Sequence, residues 1–315
     1  MKGAILLATG PWPIVPWAET IRAGDPDRAL YLWPDLPDPA AIRYALVWKP
    51  PEGILKGLTR LAVVFSLGAG VDHLVFQHRL PGVPIVRIVS PDLTRRMAEW
   101  VVLQVLIHHR RQRTYDAFQA RRHWQDIEQP AASAVRVGVM GMGVLGRHSA
   151  DILARLGFQV AGWSRRPSSV AGVEAFHGAD GLDPFLTRTD ILVCLLPHTP
   201  ETHGILAMPL FGKLARDGVL GGPVLINAGR GGLQVEADIV KAIEAGVLAG
   251  ASLDVFEKEP LDATSRLWAL PNVVITPHVA ADSEPATIIP QILTQIASFE
   301  DGRPLTDVID RASLY

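Results

Sequence analysis

Short, almost wholly apolar runs punctuate the first hundred residues, with helical spacing of apolar positions between most of them. The runs at 4–8, 30–33, 45–48, 61–66 and 85–89 predict buried strands. Strands that are apolar on both sides and alternate with helices predict a parallel sheet covered on both faces. A second series follows at 135–140, 159–163, 191–196, 224–227, 250–253 and 273–276, close to a doubly wound sheet of six strands. Between the two series, Met97, Trp100, Val101, Gln104, Val105 and His108 recur at helical spacing and predict one long helix over about 94–121. After Asp282, the positions Ile288, Ile289, Ile292, Leu293 and Ile296 predict a helix that returns to the first series. The fold class expected is therefore α/β, with two Rossmann-like or flavodoxin-like parallel-sheet domains. The first is discontinuous, formed by 1–97 and 283–315, and the second spans 98–282.

Composition narrows the classes without naming one. A chain of 315 residues exceeds the usual size of a single domain, and 48% hydrophobic with 20% charged residues suits a soluble globular protein. Thirty basic residues against 32 acidic ones, with no long run of either sign, argue against nucleic acid as a partner. Arg110, Arg111 and Arg113 lie on the predicted helix and read as a solvated or subunit-facing surface. The one cysteine, Cys194, lies in an apolar run and reads as a core residue. No apolar run reaches the roughly 18 residues of a membrane span, so no membrane association and a cytoplasmic location are expected. His73, His108, His109, His198 and His203 show no metal-ligand spacing, and no metal is expected.

Chemistry enters at the first strand of the second series. It runs into Gly141, Met142, Gly143, Val144, Leu145 and Gly146, a G-x-G-x-x-G turn at the start of a helix. Three glycines at this spacing allow a tight turn, close approach of backbone N–H groups to a pyrophosphate, and tight seating of the helix. Met142, Gly143, Val144 and Leu145 are the expected contacts, with phosphate on the helix N-terminus. An NAD site normally carries Asp or Glu about 20 residues further on. Here that place holds Trp163, Ser164, Arg165 and Arg166. Two guanidiniums and a hydroxyl suit a 2′-phosphate, so NADP(H) is favoured and NAD(H) remains the alternative.

Further segments end the later strands in order: Leu196-Pro197-His198-Thr199-Pro200-Glu201-Thr202, then Asn227-Ala228-Gly229-Arg230-Gly231, then Asp254 through Glu259-Pro260, then Thr276-Pro277-His278. Together they resemble the D-isomer-specific 2-hydroxyacid dehydrogenase family over nearly the whole chain. The nearest likeness is to its glyoxylate/hydroxypyruvate reductase A type, through Leu67-Gly68-Ala69-Gly70-Val71-Asp72, Trp163-Ser164-Arg165 and Asp310-Arg311-Ala312. The resemblance implies an oxidoreductase in which Arg230 binds and polarises substrate, His278 is the acid/base and Glu259 is its carboxylate partner. It also implies cofactor contacts from Leu196, Pro197, Thr202, Ala228, Gly229, Arg230, Asp254 and His278. Substrate contacts are expected from Trp48, Leu67, Gly68, Ala69, Gly70, Arg230 and His278, so that the first domain is the substrate domain. A homodimer is implied, with Trp124 either reaching a neighbouring active site or serving as a hydrophobic anchor.

Elementary chemistry agrees with these roles. Reduction of a 2-oxo acid needs a cation on the substrate carboxylate and carbonyl, which a planar guanidinium supplies. The developing alkoxide needs a proton, and histidine titrates near neutrality. A carboxylate orients the imidazole and favours its charged form. Taken singly, each residue also has a plain reading: Arg230 as surface, His278 as loop, Glu259 or Asp254 as a helix cap, Trp48 and Lys49 as structural residues. The ordered set points to NADPH-dependent reduction of glyoxylate and hydroxypyruvate. Reduction of bulkier 2-oxo acids such as phenylpyruvate, and a nucleotide-sensing protein like the C-terminal binding protein corepressors, remain the alternatives. Gly229 departs from the family's common pattern and is expected to widen backbone freedom beside Arg230.

Overall fold

A computed structural model describes residues 2–75 and 82–310. Arg311 and Ala312, part of the resemblance at the chain's end, lie outside the described residues. The chain divides into two compact units, Met1–Leu93 with Asp282–Tyr315, and Thr94–Ala281. Among the described residues, no helix is long and apolar enough to cross a membrane.

Among the described residues, the first unit holds five parallel strands: β1 Ala4–Ala8, β2 Leu30–Leu32, β3 Ile42–Val47, β4 Val63–Ser66 and β5 Ile85–Val86. Their order, β2-β1-β3-β4-β5, is the flavodoxin-like 2-1-3-4-5 arrangement. Alternate residues of each strand feed opposite cores. Ile5, Leu7, Tyr44, Leu46 and Phe65 pack with Trp17 and Ile21 of the helix Ile14–Gly24. The same cluster takes Ile288, Ile289, Ile292 and Ile296 from the helix Pro285–Glu300, so the end of the chain completes a core begun at its start. Each such side chain contributes about 1.5–3 kcal/mol by burial. On the other face, Leu6, Ala8, Ala45 and Val47 pack with Ile54, Leu55 and Leu74.

Seven parallel strands form the second unit's sheet: β6 Arg136–Met140, β7 Gln159–Ser164, β8 Glu174–His177, β9 Ile191–Cys194, β10 Val224–Asn227, β11 Gly250–Leu253 and β12 Val273–Ile275. The order is β12-β11-β10-β9-β6-β7-β8, with the chain reversing its direction of travel across the sheet between β6 and β9. Ligands of such sheets bind beyond the C-terminal strand ends at that switch point. Seven strands replace the expected six because β8 is an edge strand in which only Phe176 is half-buried, so no apolar run marks it. Met140, Leu192, Cys194, Leu225 and Leu253 face one core, and Val137, Val139, Val193 and Ile226 face the other. Burial pushes the Cys194 thiol up to about 12.

Two helices stand where the periodicity predicts one. Pro91–His109 opens on a proline, which suits the first helical turn, and Gln112–Ala120 follows a left-handed Arg111 at φ 53°. Arg111 donates to the Val219 carbonyl at 3.3 Å and Arg113 to that of Pro271 at 3.2 Å, fixing the break by tertiary bonds.

Candidate active site

All sixteen candidate cofactor residues lie in the second unit, at or beyond the C-terminal ends of strands β6, β7, β9, β10, β11 and β12. Backbone bonds tie neighbouring strand ends together. Gly141 N–H donates to Trp163 O at 2.9 Å, Leu195 to Met140 at 2.8 Å, Ala228 to Cys194 at 3.2 Å, Asp254 to Asn227 at 3.0 Å and Thr276 to Leu253 at 3.0 Å.

The glycine turn has a distinct reason at each position. Gly141 sits at φ 108°, and a Cβ there would meet the Leu195 backbone at 2.7 Å. At Gly146 a Cβ would lie 1.9 Å from the Gly141 carbonyl oxygen, so only glycine lets the helix Val144–Arg155 seat against the turn. A Cβ at Gly143 would meet nothing within 4 Å. Gly143 is also the helix N-cap, with no side-chain cap and no acidic residue in the first turn. Exposed N–H groups, an open approach and no competing carboxylate fit a dinucleotide pyrophosphate.

At the end of β7, Arg165 and Arg166 are exposed, and the Ser164 hydroxyl donates to the Arg166 carbonyl at 2.7 Å. The Trp163 indole donates to Gly178 O at 2.9 Å and is thereby oriented. Glu201 is a neighbour that sequence reading missed. Its carboxyl is held below the ordinary range first by the Thr199 hydroxyl, then by its own backbone N–H, with the Arg165 charge contributing. In the same loop, Thr202 Oγ1 donates to Pro197 O at 2.8 Å and accepts from Thr199 N–H at 2.8 Å.

The arginine turn after β10 is built around a buried amide. Asn227 Oδ1 accepts Gly229 N–H at 3.0 Å, while its Nδ2 donates to Gln234 Oε1 at 2.8 Å and to Arg230 O at 3.3 Å. Gln234 in turn donates to Val255 O at 2.9 Å. Arg230 is half-buried with an extended backbone, and its Nη1 donates to Gly229 O at 2.7 Å. Gly229 has no left-handed conformation, which corrects the expectation of backbone freedom. Space demands it: a Cβ would meet Leu233 Cδ1 at 2.7 Å and Leu196 O at 2.9 Å.

His278 and Glu259 meet directly, with Nδ1 at 2.9 Å from both carboxylate oxygens. Both side chains are partly exposed, at 31% and 25%, so solvent can exchange a proton with the pair. His278 adopts φ 57°, a left-handed conformation costing a non-glycine residue roughly 1–2 kcal/mol. Asp254, 1% exposed, supports this turn. Its carbonyl accepts His278 N–H at 2.8 Å, and its carboxylate accepts Thr276 Oγ1–H at 2.6 Å, Val279 N–H at 2.9 Å and Ala280 N–H at 3.0 Å. Arg230 follows β10, two strands from β12 with β11 between.

The first unit carries five of the seven candidate substrate residues, Trp48 and Leu67 to Gly70, and the second carries Arg230 and His278. Trp48 follows β3 with its ring against Gly68, where a Cβ would come within 2.5 Å of the indole. Trp12 stacks on Trp48 at 4.8 Å and on Trp17 at 5.6 Å, and His73 meets Trp48 edge-on at 4.4 Å. Leu67 N–H donates to Val47 O at 2.9 Å and Gly68 N–H faces Ser66 Oγ at 3.4 Å, whereas Ala69 and Gly70 are half-buried. Other histidines are engaged structurally: His108 bonds Ser252 Oγ at 2.8 Å, His109 packs on Phe158, and His198 meets His203 at 3.0 Å. Among the described residues, no three His, Cys, Asp or Glu side chains cluster as a metal site.

Comparison with known proteins bears on the whole of this arrangement. Residues 102–280 match the sequence profile described as D-isomer specific 2-hydroxyacid dehydrogenase, NAD binding domain. The chain belongs to the D-isomer specific 2-hydroxyacid dehydrogenase family. Glyoxylate/hydroxypyruvate reductase A of Yersinia enterocolitica is 40% identical over 273 residues, 85% of this chain and 86% of that one. The reductase of the same name from Escherichia fergusonii is 39% identical over 305 residues, 95% of this chain and 96% of that one. Among solved structures, the NADPH-dependent glyoxylate/hydroxypyruvate reductase of Sinorhizobium meliloti, in complex with NADP and sulfate, is 47% identical. It has a TM-score of 0.95, with 100% of both chains covered. A family member from Xanthobacter autotrophicus, in complex with NADPH and MES, is 39% identical with a TM-score of 0.94 and full coverage of both chains.

Proposed function

We propose that this chain is an NADPH-dependent reductase of small 2-oxo acids, converting glyoxylate to glycolate and hydroxypyruvate to D-glycerate. The observation that carries the proposal is the His278–Glu259 pair, placed on the same sheet edge as an uncapped glycine turn and the Arg165–Arg166 pair. The relatives named for this activity support it.

Bound NADPH supplies the hydride that reaches the substrate's second carbon. Met142, Gly143, Val144 and Leu145 would present backbone N–H groups to its pyrophosphate, and Arg165 and Arg166 would take its 2′-phosphate, with Ser164 joining them if its hydroxyl turned from the Arg166 carbonyl. Arg230 holds the substrate carboxylate and draws electron density toward the carbonyl oxygen. With Nδ1–H donated to Glu259, Nε2–H of the imidazolium passes its proton to that oxygen, leaving neutral His278 to be reprotonated from solvent. One 2-oxo acid, one NADPH and one proton thus give one 2-hydroxy acid and NADP+. Of the 67–70 turn in the first unit, Ala69 and Gly70 carry the N–H groups proposed for an anion, since those of Leu67 and Gly68 are already engaged. The assembly proposed is a cytoplasmic homodimer, with the fully exposed indole of Trp124 as an anchor between subunits.

The test is spectrophotometric: consumption of NADPH and of NADH with glyoxylate, hydroxypyruvate, pyruvate and phenylpyruvate. Glyoxylate and hydroxypyruvate with NADPH should give the highest kcat/KM. A higher value with phenylpyruvate would transfer the activity to bulkier substrates, and no turnover on any would favour the nucleotide-sensing reading.

A further inference from the structure

We infer that Thr276 and Trp100 are positioning residues for His278, acting through Asp254 on the left-handed turn that presents the imidazole. The kinetic part of this inference rests on the reductase reading above. The structural part rests on a hydrogen-bond chain with only one direction.

The indole of Trp100 can only donate, and an ionised carboxylate can only accept. Trp100 Nε1–H lies 3.2 Å from Thr276 Oγ1, and Thr276 Oγ1 lies 2.6 Å from Asp254 Oδ1. The hydroxyl proton therefore goes to Asp254, and a hydroxyl lone pair receives the indole. Asp254 is 1% exposed, so its lone pairs must be answered from within the protein. Three donors answer them: Thr276 Oγ1–H, and the Val279 and Ala280 N–H groups on the far side of His278. The carboxylate thus clamps residues before and after His278, while the Asp254 carbonyl holds His278 N–H itself at 2.8 Å.

Such a clamp answers a need that the local sequence creates. His278 is a non-glycine residue at φ 57°, so its conformation persists only where surrounding bonds enforce it. Glu259 fixes one ring nitrogen, but a bond to Nδ1 alone leaves the ring free to follow any drift of its backbone. Trp100 closes the arrangement from the helix Pro91–His109. It packs in the same apolar cluster as Ala280, beside Met97 and Val101, and has its one donor aimed at Thr276. Removing the threonine hydroxyl strips one donor from a buried carboxylate and leaves the indole N–H facing a methyl group.

The experiment compares Thr276→Val, Thr276→Ser and Trp100→Phe, alone and with His278→Ala. Thr276→Val should lower kcat for glyoxylate about tenfold or more, with NADPH affinity changed less than about twofold. Thr276→Ser should recover to within about threefold of wild type, and Trp100→Phe should lose about threefold. In the His278→Ala background, Thr276→Val should cause no further loss, because its effect passes through the imidazole. Equal losses in both backgrounds would overturn the assignment. Amide hydrogen exchange at Val279 and Ala280, measured without cofactor, supplies a readout independent of activity. Exchange should quicken about tenfold in Thr276→Val and less in Trp100→Phe; unchanged protection in both would overturn the clamp. Should Thr276→Val not fold, exchange in Trp100→Phe decides alone, faster supporting the clamp and unchanged overturning it. Failure of wild type to turn over any 2-oxo acid would remove the reductase reading, while the exchange measurement would still decide the clamp.

Discussion

In the first unit, the polar bonds that matter most join residues from opposite ends of the chain, whereas in the second they join one strand end to the next. Arg28, with a side chain only 3% exposed, pairs through both terminal nitrogens with Glu300 at 2.9 Å, and through Nε with Asp25 at 2.7 Å. Tyr44 adds its hydroxyl to Glu300 at 3.1 Å and Gly3 O accepts from Arg28 at 2.8 Å. A discontinuous core needs such closure, since the helix Pro285–Glu300 reaches it only after the whole second unit has been made. In the second unit, Asp254, Thr276 and His278 come from the ends of adjacent strands, β11 and β12, and their bonds shape loops. Charge closes one unit and aims chemistry in the other.

The sharpest way to break that distinction is His278→Ala. It should lower kcat/KM for 2-oxo acid reduction about 10²–10⁴-fold while leaving both units folded. An unchanged kcat/KM in the variant would remove His278 from the role of acid.

Next in size is Arg28→Ala, which should cost the first unit about 2–4 kcal/mol by removing the charged partner of Glu300 and one of the two cations on Asp25, Lys2 being the other. Amide exchange should rise across β1 and β3 and stay near wild type across β6 and β9. Hydrogen bonding from Arg28 holds the Glu300 carboxyl below its ordinary range, with burial opposing. A depressed carboxyl stabilises above its unfolded value and loses that contribution as pH falls through the folded one. This acid sensitivity should shrink in the variant; equal loosening of both sheets would defeat the comparison.

Arg165→Ala combined with Arg166→Ala should be gentler, reducing NADPH-over-NADH preference in kcat/KM by about 10- to 100-fold, or about 1.5–3 kcal/mol. An unchanged ratio would mean that the 2′-phosphate is held elsewhere.

A final test separates the units by pH. Burial, with a contribution from the Arg113 charge, holds His108 down to about 4, so the folded imidazole refuses a proton that the unfolded chain accepts below about 6.5. Its contribution is full above that pH. Stability should then fall by about 1.4 kcal/mol per unit as pH drops from about 6.5 toward 4. Exchange across β11, next to the His108–Ser252 bond, should report this slope, and His108→Gln should abolish it.

Much of this was legible because parallel strands buried on both faces leave continuous apolar runs, as at β1, β6, β10 and β11. β8 was not, since an edge strand with mostly exposed residues has no such run. Apolar periodicity passes unbroken through Arg111, whose left-handed turn is held by the Val219 carbonyl, 108 residues away. The glycine turn, the β7 arginines and the strand-end motifs were readable as residue types at set spacings. The clamp on His278 was not, because Thr276, Asp254 and Trp100 acquire their relation only when a helix and two strand ends converge. Glu201 was equally hidden, being brought within electrostatic reach of Arg165 by loop folding alone.

The lone thiol has a practical consequence. With its titration pushed to about 12 and its sulfur sealed in the core, Cys194 stays unreactive at neutral pH. Any cysteine engineered onto the surface becomes the one site open to a fluorophore or spin label. A probe beside the 67–70 turn then reports on that turn during turnover, with no native thiol to remove beforehand.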